Sequence, residues 1–207
     1  MPQARRQQTA ISRQEKVERL QVAAISVIAR NGVTQASTRA IASEAGLNLA
    51  TVHYAFDGKD DLLTSLLERL LKDSRHLVTT AAQDCKSAQD AIARVAQAYW
   101  QHVTQNPDLQ RVNFELGLYA MTNTEYGERS KLQFSAFHEH VASLLQPLLP
   151  HWTNEQVAVL TLASISSLEG LVIQYLMTRN QAICEQALAL NVKALQLLCE
   201  NPPRSDT

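Results

Sequence analysis

Aromatic residues are scarce in this chain, and no segment alternates apolar with polar residues for long. Phe, Trp and Tyr make up 5% of the 207 residues, whereas apolar residues of all kinds make up 45%. Short alternating strands are typical of sandwiches and barrels, so their absence argues against the all-β classes. The length is ample for a core that needs neither disulfides nor metal. We therefore predict an all-α protein.

Cysteine is also scarce, and catalytic motifs are missing. Cys85, Cys184 and Cys199 are odd in number, far apart and outside any Cys-x-x-Cys spacing, which argues against a disulfide framework or a zinc site. The nearest metal-like pattern is His138 and His140, but residues two apart on a helix point roughly 200° away from each other. No phosphate loop or nucleophile elbow occurs. We expect no enzymatic activity, no cofactor and no bound metal.

Long hydrophobic runs are absent too. No apolar segment follows Met1, and no uninterrupted run of about 18 apolar residues occurs. Secretion and membrane spanning are therefore disfavoured, and the few widely spaced cysteines suit a reducing compartment. We expect a cytoplasmic protein with no membrane partner.

The net charge of −1 hides an uneven distribution. Residues 1–60 carry eight Lys/Arg against five Asp/Glu, or +3, and the other 147 residues carry eleven against fifteen, or −4. Within residues 1–39 the count is seven against two, an excess of +5 that could follow a phosphate backbone. Residues 1–12, with Arg5 and Arg6, are predicted to be a flexible basic arm. A solvated polar surface is the alternative interpretation.

Helical periodicity and capping signatures predict about nine helices in two domains. Ser12 with Glu15 marks the start of the first helix, and Asn31-Gly32 marks its end. Later capping pairs are Ser87 with Asp90 and Thr153 with Gln156, and the last two helices are predicted at about 154–178 and 182–200. The divisions are, in order, the arm, a DNA-binding domain over 13–58 that extends into the helix from 59, a ligand-binding and dimerisation domain over 59–200, and a tail over 201–207.

The segment STRAIASEAGLNLATVHYAF, residues 37–56, has the spacing of a helix-turn-helix. Ser37 or Thr38 can cap a helix through Ala45, Gly46 permits a left-handed turn, and Asn48 can cap the next helix. A small apolar wedge would hold the two helices at a steep angle; it comprises Ile41, Ala42, Ala45, Leu47, Val52 and Phe56. The side chains left outside are Leu49, Ala50, Thr51, His53 and Tyr54, which a major groove could receive.

With the block HYAFDGKDDL over residues 53–62, this motif resembles the TetR family of repressors in detail over about residues 13–65. The resemblance implies a regulator that a small organic effector releases from a near-palindromic DNA operator. It also implies a helical second domain that binds the effector and forms the homodimer. By position, the resemblance implies that Thr38 and Lys59 contact phosphates and that Thr51 and Tyr54 contact DNA from the recognition helix, with His53 where the family usually has a phosphate-binding Tyr. The full set of expected DNA-binding residues is Ser37, Thr38, Arg39, Asn48, Leu49, Ala50, Thr51, His53, Tyr54 and Lys59, to which the basic charge of the N-terminus adds Arg5, Arg6 and Arg13.

Three positions depart from the family pattern. Leu49 stands where Lys or Arg is frequent, Ala55 replaces a frequent His or Tyr, and Gly58 replaces the usual Ser or Asn cap. Lys59 begins a helix, where free N–H groups favour anions, so we expect it to grip a phosphate. Because few charged side chains remain on the second helix, the arm is expected to contribute more than usual to binding.

The second domain carries weaker signals. The expected dimer interface uses small residues of 154–178 and a seam of 182–200; its residues are Ala163, Ser167, Gly170, Ile183, Ala187, Leu190, Ala194 and Leu197. The expected effector pocket comprises Tyr99, Trp100, His102, Val103, Asn113, Phe114, Leu118, Met121, Phe134, Phe137, His138 and Tyr175. Burial inside one chain is the alternative explanation of both patterns. The alternative function is a helical ligand-binding or dimerisation module that does not bind DNA.

Overall fold

A computed structural model describes residues 12–200, and this part of the chain is built from nine α-helices without any β-strand. The predicted all-α class is therefore confirmed. The helices are α1 (Arg13–Asn31), α2 (Thr38–Glu44), α3 (Leu49–Ala55), α4 (Lys59–Ala82), α5 (Ala88–Gln105), α6 (Pro107–Thr122), α7 (Thr124–Leu145), α8 (Asn154–Thr178) and α9 (Gln181–Leu198), with a 3₁₀ turn at Gln146–Leu148.

The chain divides into two compact units between Leu66 and Leu67, inside α4. The N-terminal unit, described from residue 12, contains α1, α2, α3 and the first part of α4. The C-terminal unit contains the rest of α4 and the helices α5 to α9, as far as residue 200. The long helix α4 therefore belongs to both units, whereas the sequence-based division lay at its start.

The N-terminal helices begin and end where local chemistry dictates. The Ser12 hydroxyl accepts a hydrogen bond from Glu15 N at 3.1 Å, and Gly32, with a φ of 79°, follows the last residue of α1. The reciprocal half of the expected capping box is replaced, because the Glu15 carboxylate pairs with Arg19 at 3.0 Å. Gly46 turns the chain between α2 and α3 with a φ of 64°, a left-handed conformation that glycine adopts without strain.

The apolar wedge of the helix-turn-helix is buried at its centre. Ile41 and Val52 are fully buried, and Phe56 is 6% exposed. The first part of α4 is tied to α1 by a polar contact, since the buried amide of Gln21 donates to the carbonyl and the hydroxyl oxygens of Ser65 at 3.1 and 2.9 Å. A stripe of leucine residues on α4 is buried along its length; it comprises Leu62, Leu63, Leu66, Leu67, Leu70 and Leu71.

The C-terminal unit has a core between α5, α8 and α9. The Thr153–Gln156 capping box that opens α8 is present in both directions. On α9 Leu188 and Leu195 are buried, and Cys85, Cys184 and Cys199 are buried free thiols. The Trp100 and Tyr175 rings meet edge to face in the same core, with centroids 5.2 Å apart.

Helix α8 is unusually apolar. Among the described helices it alone is long and apolar enough to cross a membrane, with a mean hydropathy of 1.7 over an 18-residue window. Length and composition are the sole basis of that criterion, and core helices of soluble proteins meet it too. Here α8 packs against α5, α6, α7 and α9. Because 28% of the window is buried, much of its apolar surface remains exposed within one chain.

Candidate nucleic-acid interface and ligand cavities

The outer face of α3 presents uncharged side chains. Ala50, His53 and Tyr54 are exposed, and Tyr54 has 71% of its surface accessible. Val52 points into the core and anchors the helix. An exposed phenol and imidazole on a short, anchored helix can donate to phosphates and base edges in a major groove.

Several of the predicted DNA contacts also serve as helix caps. The Ser37 hydroxyl accepts from Ala40 N at 3.1 Å, and Asn48 Oδ1 accepts from both the backbone N and the hydroxyl of Thr51 at 2.8 Å. These side chains hold the starts of α2 and α3 and leave Thr51 half-buried. Their contribution to a DNA complex would therefore be to fix the position of α3 more than to read bases.

Two of the basic residues near the N-terminus are occupied within the unit. Arg30 reaches across from α1 to α2 and donates to the Glu44 carboxylate at 2.7 Å, while Ser26 donates to the same group at 2.9 Å. The Arg30 guanidinium and then the Ser26 hydroxyl lower the pKa of Glu44. Arg19 is held by Glu15. These ion pairs brace the unit but reduce the charge that is available to a phosphate backbone.

Lys59 departs from the simple expectation of a free phosphate clamp. Its ammonium donates to the carbonyl oxygens of Val33 at 2.7 Å and Thr34 at 3.2 Å, and the side chain is half-buried. Burial lowers the pKa of Lys59, and the charge of Asp60 opposes that change. Lys59 thus fastens the loop after α1 to the start of α4, so a phosphate would have to share its ammonium with two carbonyls.

The remaining predicted DNA contacts lie around α1, α2 and α3. Arg13 and Arg39 are exposed at the starts of α1 and α2, and Thr38 and Leu49 are half-buried. Arg5 and Arg6 lie outside the described residues. Exposed basic charge near α3 is therefore concentrated at helix starts.

The larger cavity of the C-terminal unit has a volume of about 690 Å³ and lies between α6, α7 and α8. Six of the predicted pocket residues line it: Asn113, Phe114, Leu118, Met121, Phe134 and His138. Most of its other wall residues are small or apolar, and its charged lining residues are Lys131 and Glu169. A cavity of this size suits a small organic molecule.

A smaller cavity of about 90 Å³ adjoins the same residues. Tyr99 and Phe137, also predicted, line it together with Leu71, Ser74 and Val78 of α4. Four residues line both cavities: Asn113, Phe134, His138 and Glu169. These shared residues mark the junction between the two spaces.

Four predicted pocket residues lie elsewhere. Trp100, Val103 and Tyr175 are buried in the core with α8 and α9, and His102 lines neither cavity. Helical periodicity identified them as inward-facing, which is correct for three of them, but it cannot distinguish a face that meets another helix from a face that meets a cavity. These four residues therefore line neither the larger nor the smaller cavity.

Glu169 is the functional candidate that sequence reasoning missed. It is the single charged residue between Gln156 and Thr178, and in the structure it faces both cavities. That isolation within an apolar helix was the available signal. Loss of hydration raises the pKa of Glu169, and the pKa of Tyr99 is raised by burial and then by the Glu169 charge.

The predicted dimer residues have mixed environments. Ile183, Leu190 and Leu197 of α9 are 62%, 71% and 54% exposed, which is unusual for large apolar side chains. Ser167 and Ala187 are half-buried, and Gly170 lines the larger cavity. Further exposed apolar residues on α8 are Val159, Leu162, Ile173 and Met177. Each of the last two helices therefore has one buried and one exposed apolar face.

Comparison with known proteins gives consistent results. Residues 20–66 match the family described as bacterial regulatory proteins, tetR family. The HTH-type nicotine-responsive transcriptional repressor HdnoR of Paenarthrobacter nicotinovorans is 31% identical over 135 residues, which cover 65% of this chain and 70% of that protein.

Solved structures agree on the fold. A transcriptional regulator from Pseudomonas aeruginosa PAO1 aligns with a TM-score of 0.78 and 16% identity over 94% of this chain and 97% of that one. The regulator FadR from Bacillus subtilis, solved with stearoyl-CoA, aligns with a TM-score of 0.71 and 18% identity over 90% and 99%. At these identities the likeness concerns the fold alone.

Proposed function

The chain belongs to the tetR family of bacterial regulatory proteins, and from that premise we propose that it is a homodimeric repressor that leaves its DNA operator when a small organic effector binds. It acts in the cytoplasm as a regulator and not as an enzyme. The observation that carries the proposal is the pairing, in one chain, of an anchored α3 with exposed His53 and Tyr54 and a cavity of about 690 Å³.

The DNA contact surface is proposed to be broader than α3. The face of α3 is uncharged, and Arg30 and Arg19 are held in ion pairs. We assign backbone affinity to Arg13, Arg39 and the basic arm, with α3 supplying register and base contacts. The arm, with Arg5 and Arg6, lies outside the described residues, so this assignment depends on its charge.

The exposed apolar faces of α8 and α9 support a two-fold dimer. Leu190 and Leu197 are more than half exposed in the single chain, and burying them against a second copy removes apolar surface from water. A two-fold pair would present two α3 helices to half-sites about one DNA turn apart. The operator is therefore expected to be near-palindromic.

Helix α4 is the proposed link between effector and DNA. Its residues Leu71, Ser74 and Val78 line the smaller cavity, and its first part carries Lys59 and Ser65, which bond to the loop after α1 and to α1 itself. An effector that favours another position of α4 would shift the population of dimers away from the operator spacing. Effector and DNA would then weaken each other's binding reciprocally.

The test is a footprint of the purified full-length protein on the DNA upstream of its own coding region, at low and high salt. A protected near-palindrome, with affinity that falls as salt rises, is expected. The double variant His53→Ala/Tyr54→Ala should lose the footprint, while Ser43→Ala, an exposed change on α2, should keep it. Equal affinity for unrelated DNA of the same length would contradict the proposal.

A further inference from the structure

The cavity junction combines an unpartnered hydrogen-bond acceptor with an acidic side chain, and no Lys or Arg is among the four residues that line both cavities. Asn113 Oδ1 is buried and makes no hydrogen bond within the described part of the chain. Glu169 contributes a carboxylate to both cavities. A buried acceptor without a partner is costly, so its presence marks a place where a ligand can supply a donor.

Two further groups add acceptors at the same junction. The Tyr99 hydroxyl donates its proton to Gln110 Oε1 at 3.4 Å, so its oxygen lone pairs are what it offers the smaller cavity. Burial lowers the pKa of His138, which favours the neutral imidazole, with one acceptor nitrogen and one N–H donor. Acceptors therefore come from three different helices, α5, α6 and α7, and from Glu169 on α8.

Two of the hydroxyl groups in the walls do not balance these acceptors. Ser130 donates to the Tyr126 carbonyl at 2.8 Å, and Ser164 donates to the Leu160 carbonyl at 2.7 Å, so both protons are used within their own helices. Lys131 is the one cation in the walls, and it is exposed and lines only the larger cavity. The junction itself thus has an acidic residue without a Lys or Arg among the residues that line both cavities.

We propose that the effector is an organic cation, an amine with an aromatic or apolar body, whose ammonium group sits at the junction against Glu169 and Asn113. The ammonium supplies a donor to Asn113 Oδ1 and a positive charge to Glu169. The rings of Phe134 and Phe137 line the same space, and their faces attract a cation. The apolar body would occupy the larger cavity, beside Phe114 and Met121.

This inference rests on the proposed effector role and selects among effector chemistries. HdnoR is named for its response to nicotine, and one FadR structure holds stearoyl-CoA. An acyl thioester would bring a carbonyl acceptor and an apolar chain. Neither provides a donor for Asn113 Oδ1 or a positive charge for Glu169. The walls of this chain therefore favour the cation.

The experiment measures binding of three indoles to the full-length protein by isothermal titration calorimetry, with octanoyl-CoA as a fourth probe. Tryptamine is a cation, tryptophol is its neutral alcohol and indole-3-propionate is an anion of similar shape. Tryptamine is expected to bind at least about tenfold tighter than either, as a charge-assisted hydrogen bond provides. Glu169→Gln should remove most of that preference and leave tryptophol within about twofold of its original affinity.

Two controls keep the result interpretable. Glu155→Gln makes the same change on α8 outside both cavities and should leave tryptamine binding unchanged. Asn113→Leu tests the second acceptor without altering the net charge, and it too should weaken tryptamine more than tryptophol. Thermal melts of each variant establish that it is folded.

The cation assignment is overturned if tryptophol or octanoyl-CoA binds as tightly as tryptamine, if Glu169→Gln keeps the amine preference, or if tryptamine fails to bind at millimolar concentration. None of these results depends on the footprint of the ligand-free protein. If that footprint were absent, the proposed function would be overturned instead. Tight tryptamine binding that leaves operator affinity unchanged would support the cation site and contradict release by this effector.

Discussion

The two units of this protein differ in how far their polar groups are satisfied within one chain. In the N-terminal unit the inward-reaching groups find partners inside the unit, as Gln21 does at Ser65, Arg30 at Glu44 and Lys59 at two carbonyls. In the described part of the C-terminal unit, buried polar atoms without a hydrogen bond remain; they include Trp100 Nε1, Asn113 Oδ1 and Thr161 Oγ1.

The same contrast holds for apolar surface. The wedge of the N-terminal unit is closed around Ile41 and Val52, whereas the C-terminal unit leaves large side chains such as Leu190 and Met177 more than two-thirds exposed. A unit that binds its partner through an exposed surface can satisfy its buried polar groups and its apolar core within one chain. A unit that must receive a ligand and a second chain keeps unsatisfied groups where those partners bind.

The largest effect is expected from breaking the proposed pairing surface. Replacing Leu190 and Leu197 with Glu places two charges on the exposed face of α9, and a dimer could not bury them unpaired. Operator affinity should fall by about a hundredfold or more, because two linked half-site contacts become independent. Sedimentation should show a folded monomer, and gel shift measures the affinity.

A matched change separates pairing from general surface effects. Gln186→Glu also adds a charge at an exposed position of α9, but it removes no apolar surface. Its sedimentation and operator affinity should resemble those of the original protein. A Leu190→Glu/Leu197→Glu protein that remained dimeric would show that the second copy binds elsewhere.

A second, smaller effect is expected from adding a methyl group where α6 and α7 lie close together beside the larger cavity. A Cβ on Gly127 would collide with the Ala120 carbonyl, whereas a Cβ on Gly117, which lines the same cavity, meets open space. Gly127→Ala should lower the free energy of unfolding by about 1–3 kcal/mol. Gly117→Ala is the control and should be neutral or stabilising in urea unfolding. Equal stability of the two variants would contradict the close approach.

The sequence predicted the N-terminal unit well because its determinants are local. Caps at Ser12, Ser37 and Asn48 and the turn at Gly46 are set by residues within a few positions of one another, and all four were found where expected. Lys59 was the exception. Its carbonyl partners are Val33 and Thr34, far away in the sequence, so no local pattern could show that its ammonium is engaged.

In the C-terminal unit the sequence predicted which helix faces are apolar but not what those faces pack against. The apolar seam of α9 was identified from its spacing, and its residue Leu190 is exposed, whereas Leu195, outside the seam, is buried. Whether a face meets a helix, a cavity or solvent depends on helix spacing, which periodicity does not contain. For that reason Trp100 was assigned to the pocket and Glu169 was overlooked.

A third prediction concerns the exposed hydroxyl group of Tyr54 on α3. Tyr54→Phe removes one hydroxyl from a side chain that is 71% exposed. Operator affinity should fall by roughly threefold to tenfold, which is the loss of one hydrogen bond of about 0.5–1.5 kcal/mol. The melting temperature should be unchanged, as should the operator affinity of Ser43→Ala. An unaltered affinity for Tyr54→Phe would remove the hydroxyl from the contact surface.

The smallest expected effect is that of Glu169 on the stability of the ligand-free protein. The carboxyl group is expected to favour binding of a cation but to lower the free energy of unfolding when no ligand is bound. The pKa of Glu169 is raised in the folded chain. At pH values between the ordinary glutamate pKa and this raised pKa, the native state therefore holds a proton that the unfolded state has lost. The carboxyl should therefore cost stability as pH rises from the ordinary glutamate range through the raised pKa, and it should cost nothing in acid.

Glu169→Gln should remove that cost and stabilise the ligand-free protein at neutral pH by less than about 1 kcal/mol, since solvent reaches the side chain. The gain should be present at neutral pH and vanish in acid. Urea unfolding at acidic and neutral pH measures both. If Glu169→Gln were destabilising at neutral pH, the carboxylate would be a structural group, and the unsatisfied junction would lose its meaning as a binding site.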